Sequence, residues 1–353
     1  MKELNVFILD SEFDRVAVID SYSSFIWSDR YDEAGEFELK VPYDYLPEVI
    51  RKCIVHDNYV SIDDSDRIMV IEKIEDNTDD NGVTEMVVSG RSLESILDRR
   101  IYLVKADFTN ANVQSSIYNF LYANIIEPAD SNRKIENFVF SESQDEAITS
   151  LTFSDSFDKD DLYEIITSIC KNKHIGFKIV LNAAKEMVFS LYAGVKEPVV
   201  TFSPYYDNLR NSNYYSSIED YKNVLYVSKD NNAGYLTIMN EREQSGLKRR
   251  EVHVNESELK SNKSGSVSNS YLETKGKRKL SNEYKIKTAF DAEIIPDVLY
   301  KYITDYNTGD HVNLVNTHGN SKEVYISEVA ITRDENGLTI LPTFQEIEEK
   351  DDE

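Results

Sequence analysis

Cysteine is almost missing from this chain. Cys53 and Cys170 stand far apart and fit no C-x-x-C or other paired spacing, which excludes a disulfide scaffold and implies reduced thiols. Glycine (12) and proline (7) are few among 353 residues, which argues against long flexible linkers. No apolar run approaches the ~18 residues that a membrane helix needs. The opening MKELNVFILDSEF sets charges on both sides of a short apolar stretch, unlike a secretory signal. These absences imply a soluble chain made in the cytoplasm, with no membrane partner. Positive charge is outnumbered, since 39 Lys and Arg face 64 Asp and Glu and the net charge is −25. So acidic a surface repels phosphate, which argues against sequence-specific binding of DNA or RNA.

Catalytic signatures are missing too. H-E-x-x-H, G-x-S-x-G, the P-loop and G-x-G-x-x-G do not occur, and of five histidines only His311 and His318 approach a ligand spacing, where they bracket a polar hairpin. The loop Asp76 to Gly82 has its glycine at the seventh place of a calcium-loop pattern and Val87 at the twelfth, where a glutamate is needed, so it reads as a solvated turn. Asp63, Asp64 and Asp66 have the chemistry to chelate a divalent ion, but clustered carboxylates are expected in so acidic a chain. Pairs of carboxylates for glycoside hydrolysis carry no information among 64 acids. Trp27 and the tyrosine-dense SPYYDNLRNSNYYSSIEDYKN offer either a sugar-stacking platform or interface and core surface. No catalytic, cofactor-binding or metal residue is assigned, and no cofactor is expected.

What the chain does have is 41% hydrophobic residues, with 23 tyrosines and 15 phenylalanines, enough for several packed sheets and for protein interfaces. LNVFILD and RVAVID predict paired strands around an acidic turn, and FIWSDRYDEAGEFELKVP predicts a hairpin with Phe37, Leu39 and Val41 alternating. NYVSID, RIMVIEKIE and TEMVVSG read as three further strands, closed by a short helix in SLESILDR. NANVQSSIYNFLYANII and DKDDLYEIITSICKNKHIG carry apolar residues at helical spacing; Asp158 to Asp161 load the second N-terminus and Gly176 follows its last turn. The stretch 255–285 reads as a polar helix and loop without an apolar stripe over most of its length.

The segments starting at NYVSID and at DHVNLVN share one plan, including D-x-N-G-type turns at Asp79 to Gly82 and Asp334 to Gly337. The predicted fold class is α+β, mainly β, with two related small β-barrels and an α+β insertion between them. The boundaries are 1–102 for the first barrel, 103–203 for the insertion, 204–290 for a β-rich central domain with a polar helix and loop, 291–345 for the second barrel and 346–353 for an acidic tail. Three copies of a chain with two such barrels can build a ring of near six-fold symmetry. The basic patches LKRRE (247–251) and KGKRK (275–279) are either a solvated face or a docking contact to an acidic surface on a neighbouring copy.

Five stretches, in order, resemble phage tail baseplate-hub proteins of the siphovirus type, a family also found in contractile tails and tail-derived bacteriocins: FIWSDRYDEAGEFELKVP, VVSGRSLESILDRRI, NVLYVSKDNNAGYLTIMNEREQSGLKRREVHVN, YNTGDHVNLVN and ISEVAITRDENGLTILPTF. In the fourth, Gly309, Asp310 and Val312 match, while His311 stands where the family usually has an aliphatic residue. The central hairpin also lacks the glycine and acid run often seen. The resemblance implies a homotrimeric ring in the virion tail, joining the tail tube or distal tail protein to a spike or tip protein and to other baseplate proteins. It implies that DNA passes an acidic lumen without specific binding. No room is left for a C-terminal peptidase or receptor-binding extension, so a non-enzymatic hub is expected. A tail-tip cell-wall hydrolase and a carbohydrate or receptor-binding tail protein are the alternatives. Gly309 and Asp310 are expected to relieve backbone strain and satisfy backbone donors where the closing strand begins.

Overall fold

The computed structural model describes residues 4–347 except 64, 198–199, 230–233, 240–244, 260–268 and 296–298. Most of the loop expected within 255–285, and the acidic tail from 348 onward, lie outside the described residues. The chain divides into two compact units, one of residues 1–210 with 293–345 and one of residues 211–292 with 346–353. It is mainly β with short helices. Among the described residues no helix is long and apolar enough to cross a membrane.

In the larger unit, Val6–Leu9 lies between Arg15–Ile19 and Tyr59–Ile62, with Met69–Val70 at the far edge, forming a four-stranded sheet. The acidic turn between its first two strands closes on Asp10, whose carboxylate accepts the Glu12 and Asp14 N–H groups. The expected hairpin pairs Ser24–Arg30 with Glu36–Pro42, and its alternation buries Phe25, Trp27, Phe37, Leu39 and Val41. RIMVIEKIE divides between two sheets, because Ile71 N–H donates to Asn58 while Glu72 N–H donates to Ser89. From there Lys73–Thr78 pairs with Thr84–Arg91. A Cβ at Gly90 would stand 1.8 Å from the Val70 carbonyl, so only glycine lets the strands cross there.

The two predicted barrels do not form. The C-terminal strands join the N-terminal ones in one eight-stranded open sheet. Its order is Thr201–Phe202, His311–Val315, Ser321–Asp334, Ser24–Arg30, Glu36–Pro42, Thr84–Arg91 and Lys73–Thr78, and Gly337–Glu346 pairs with Ser321–Asp334 off this path. The reason is length. Ser321–Asp334 runs for 14 residues, so its first part pairs with His311–Val315 and its second with Ser24–Arg30, from Glu328↔Arg30 to Arg333↔Phe25. Ile331 thereby joins the core around Phe25 and Trp27. A strand shared in this way satisfies its backbone groups on the other hairpin rather than by closing on its own.

The insertion contains the expected helices Val113–Leu121 and Leu162–Lys173, capped by Asn112 and by Asp161, whose carboxylate accepts the Tyr163 and Glu164 N–H groups. The second helix ends at His174 in the left-handed region (φ 51°) rather than at Gly176. Phe138–Ser141, Met187–Tyr192 and Gly176–Leu181 form a three-stranded sheet, and Lys105–Asn112 pairs with Thr152–Asp158. One apolar core runs from Leu9, Val70, Leu93 and Leu97 into Ile117, Phe120, Ile165, Ile166, Phe177 and Phe189.

In the smaller unit, Val224–Ser228 lies between Tyr235–Met239 and Glu251–Asn255. Helix Asn269–Glu283 covers one face, and here an apolar stripe does exist: Leu272, Gly276 and Leu280 are buried at four-residue spacing. A Cβ at Gly276 would meet Ile238 Cδ1 at 2.3 Å, so the middle of the stripe is a gap filled by the sheet. Hydrophobicity alone hides it, because the contact residue has no side chain.

Candidate functional site: a buried polar junction

The densest polar chemistry in the chain is sealed inside the larger unit. Arg67 forms an ion pair with Glu94, and the two side chains are 6% and 0% exposed. The Glu94 Oε1 also accepts the Ile179 N–H at 2.9 Å, while its Oε2 is buried without a hydrogen-bond partner among the described residues. Asp29, on the edge-sharing strand Ser24–Arg30, accepts Trp27 Nε1–H at 3.0 Å and the Tyr302 hydroxyl at 2.8 Å. Burial pushes the Asp29 carboxyl above the usual carboxylate range, against the pull of Arg67 and the two donors. Burial is the largest single influence and by itself lowers the Arg67 guanidinium, but Glu94, Tyr192, Asp29 and Tyr302 together outweigh it and the net shift is upward. Burial likewise raises the Tyr192 and Tyr302 hydroxyls.

Beside these charges, Tyr31 is clasped by three segments. Its hydroxyl donates to the His174 carbonyl at 3.0 Å and accepts the Gly194 N–H at 3.1 Å. A Cβ at Gly309 would sit 2.2 Å from the Tyr31 ring, one at Gly176 2.6 Å from the same ring, and one at Gly194 1.9 Å from the Gly309 carbonyl. Three of the 12 glycines thus serve one tyrosine. Gly309 has φ 93°, and Asp310 accepts the Val195 and Asn307 N–H groups, each at 2.8 Å, in the roles expected of that turn. Thr308 adds a 3.0 Å hydroxyl contact to Tyr192, which receives a longer bond from Arg67 at 3.4 Å. The junction therefore ties residues 29–31, 67, 94, 174–194 and 302–310 together. Its described groups hold one another.

The other candidates are dispersed. Asp63 accepts from Asn5 at 2.9 Å, Asp66 pairs with Lys178 at 2.7 Å, and Asp64 lies outside the described residues. No group of three or more His, Cys, Asp or Glu suited to a metal occurs among the described residues. Asp79 caps its own turn through the Asn81 and Val83 N–H groups, and the Val83 bond is the main cause holding its carboxyl below the usual range. His311 pairs with Glu323 across neighbouring strands at 2.9 Å, while His318 lies in the following turn. Trp27 is fully buried, so it joins no sugar-stacking platform, although Tyr205, Tyr206 and Tyr215 are exposed. A shallow groove along helix Leu162–Lys173, lined by Tyr163, Glu164, Thr167, Ser168, Lys171 and Asn172, offers neither histidine nor cysteine.

Sequence reasoning missed the junction because its partners lie far apart: 27 residues separate Arg67 from Glu94 and 273 separate Tyr302 from Asp29. The available signal was charge in apolar surroundings, in the stretches RIMVI and SLESIL.

The family model for siphovirus ReqiPepy6 Gp37-like proteins matches residues 5–344. The chain belongs to that family. Solved structures place the fold of this Gp37-like protein among tail proteins. The 43 kDa tail protein of prophage MuSo2 from Shewanella oneidensis matches over 98% of either chain, with a TM-score of 0.59 and 11% identity. A tail protein from Neisseria meningitidis MC58 matches over 98% of this chain and 97% of its own, with a TM-score of 0.56 and 12% identity. A chain of the lidded Francisella PdpA-VgrG complex matches over 98% of this chain and 54% of its own, with a TM-score of 0.52 and 9% identity. At these identities the likeness is one of fold. No curated protein sequence matches the Gp37-like chain at a significant level.

Proposed function

We propose that the chain is the structural hub of a phage-type tail. Three copies form a ring in the baseplate that joins the tail tube or distal tail protein to a spike or tip protein. The observation that carries this reading is the coverage: the fold matches two prophage or bacterial tail proteins over 97% or more of both partners. Membership of a siphovirus protein family and the likeness to a chain of a VgrG complex support the same place. A sealed polar junction, in which every charged group is spent on another segment of the chain, fits a part that transmits load rather than one that turns over substrate. The net charge of −25 supports an acidic lumen, since duplex DNA carries one charge per ~1.7 Å and like charge keeps it from adhering.

The test is cryo-electron microscopy of assembled tails, together with light scattering of the purified chain. Three-fold density for this fold between tube and spike is the expected result. Complete tails assembled by a strain that lacks the chain would refute the hub reading.

A further inference from the structure

We propose that Arg100 and Arg133 form a carboxylate-binding site on the surface of the larger unit. Neither arginine belongs to the buried junction, and the site is independent of the hub reading.

The larger unit, residues 1–210 with 293–345, contains 24 Lys and Arg against 47 Asp and Glu. Within it, residues 99–105 and 131–134 hold five Lys and Arg and no acid. Arg99 reaches Asp57 at 2.8 Å and Lys134 reaches Glu127 at 3.1 Å. Arg100 and Arg133, both half-buried, pair with no carboxylate among the described residues, and neutral oxygens hold them instead. Arg100 donates from Nε to the Arg133 carbonyl at 2.8 Å and from Nη1 to the Arg99 carbonyl at 2.9 Å. Arg133 donates from Nη2 to the Ile101 carbonyl at 2.7 Å and to Asn124 Oδ1 at 3.0 Å. Each side chain is thus anchored on backbone beside the other, which fixes both guanidiniums and neutralises neither.

Two further features mark the pair. Burial first, and then the positive charges of Arg133 and Arg99, lower the Arg100 guanidinium below its ordinary value, so like charge is crowded here. Asn124, which steadies Arg133, is buried in the wide π-type turn Tyr122–Ile126, where its Nδ2 donates to the Phe120 carbonyl at 2.8 Å. Such turns are rare and recur at functional sites. A guanidinium carries five N–H donors, and each of these two uses only two of them on the acceptors just named. The remainder suits the paired oxygens of a carboxylate, and arginines already held in place lose less entropy on binding one.

The neighbouring residues favour a carboxylate over a phosphate. Ile101, Leu103 and Val104 are 41%, 60% and 58% exposed in the same short stretch. A carboxylate on an aliphatic stem, or flanked by aliphatic side chains, can cover them while its oxygens meet the arginines. Inorganic phosphate covers none of them. A nucleic acid would bring one charge per ~1.7 Å of duplex against a unit in which acids outnumber cations.

The experiment treats the full chain with phenylglyoxal, which modifies arginine, and follows each arginine by mass spectrometry. The probes are sodium acetate, a peptide of alternating leucine and glutamate, its glutamine counterpart, inorganic phosphate and a short DNA duplex. The glutamate peptide, at about ten times its half-saturating concentration, is expected to slow modification of Arg100 and Arg133 roughly 10-fold, as single-site occupancy requires. The effect should fade as salt rises. Arg51 is the internal control, since it too donates to carbonyls, those of Tyr43 and Leu46, but has no second arginine beside it. Protection by the peptide at lower concentration than by acetate assigns the site to an acidic protein segment, and equal protection assigns it to a small free acid; both support the site. Arg133→Gln is expected to raise the concentration needed to protect Arg100 by roughly 10-fold. The proposal is overturned by equal protection from the glutamine peptide, by equal protection of Arg51, or by no protection at all in the wild type. Phosphate or DNA acting at lower concentration than either carboxylate overturns it as well.

Discussion

In the larger unit the segments meet through charge, with Arg67, Glu94 and Asp29 buried among tyrosines, while in the smaller unit the buried residues that helix Asn269–Glu283 turns to its sheet are Leu272, Gly276 and Leu280. The difference follows from connectivity. The sheet and helix of the smaller unit all lie within residues 211–292, so near neighbours in sequence find one another and apolar patterning is enough. The larger unit must bring residues 302–310 back to a hairpin formed by residues 24–42, across the whole length of the chain. Apolar surfaces tolerate slippage, whereas donors and acceptors are satisfied in one register only. The polar junction sits where long-range register has to be chosen.

The comparison breaks most sharply at Glu94. Glu94→Ala leaves the Arg67 charge buried without its partner, and the expected cost is about 3–5 kcal/mol. Calorimetry should show the transition of the larger unit falling while that of the smaller unit stays; a joint shift would mean that the two units unfold as one. In the opposite direction, Leu280→Ala should cost about 2–5 kcal/mol in the smaller unit. Hydrogen exchange should then speed up in Val224–Ser228 and remain unchanged in Ser24–Arg30. Gly309→Ala combines a strained φ with a collision against Tyr31, and a loss of roughly 1–3 kcal/mol by urea titration is expected. Full stability in that variant would show that the tyrosine can move aside.

Two pH effects of opposite sign sharpen the contrast further. The folded pKa of Asp29 is raised, so its contribution is fully present below the usual aspartate value and is lost as pH rises through the folded one. Urea midpoints of Asp29→Asn, measured across mildly acidic pH, should lack that downward slope. Asp79 is the reverse case, with a depressed pKa and a contribution lost as pH falls. It is fully exposed, so Asp79→Ala is expected to leave the melting temperature within error of wild type at neutral pH; a clear drop would show that the turn anchors its hairpin.

Local elements were legible because local chemistry specifies them. Alternation in FIWSDR and EFELKVP marked a hairpin, and Asp161 marked a helix start, since each signal lies within a few residues of its effect. The repeat of turn chemistry at Asp79 and Asp334 was also read correctly as a pattern, but it was silent on whether the two hairpins close separately or share a sheet. That choice belongs to the 14-residue strand Ser321–Asp334, whose second half could pair with anything presenting a complementary edge. Gly176 was misjudged as a helix stop because a glycine after a helix has two uses, and only the packed structure shows that Tyr31 and Tyr192 occupy the space a side chain would need. The sequence by itself determined the strands, the helix caps, the acidity and the family. The tertiary structure alone decided which edges join and which charges are buried, because those depend on contacts between residues tens to hundreds of positions apart, where no periodicity reaches.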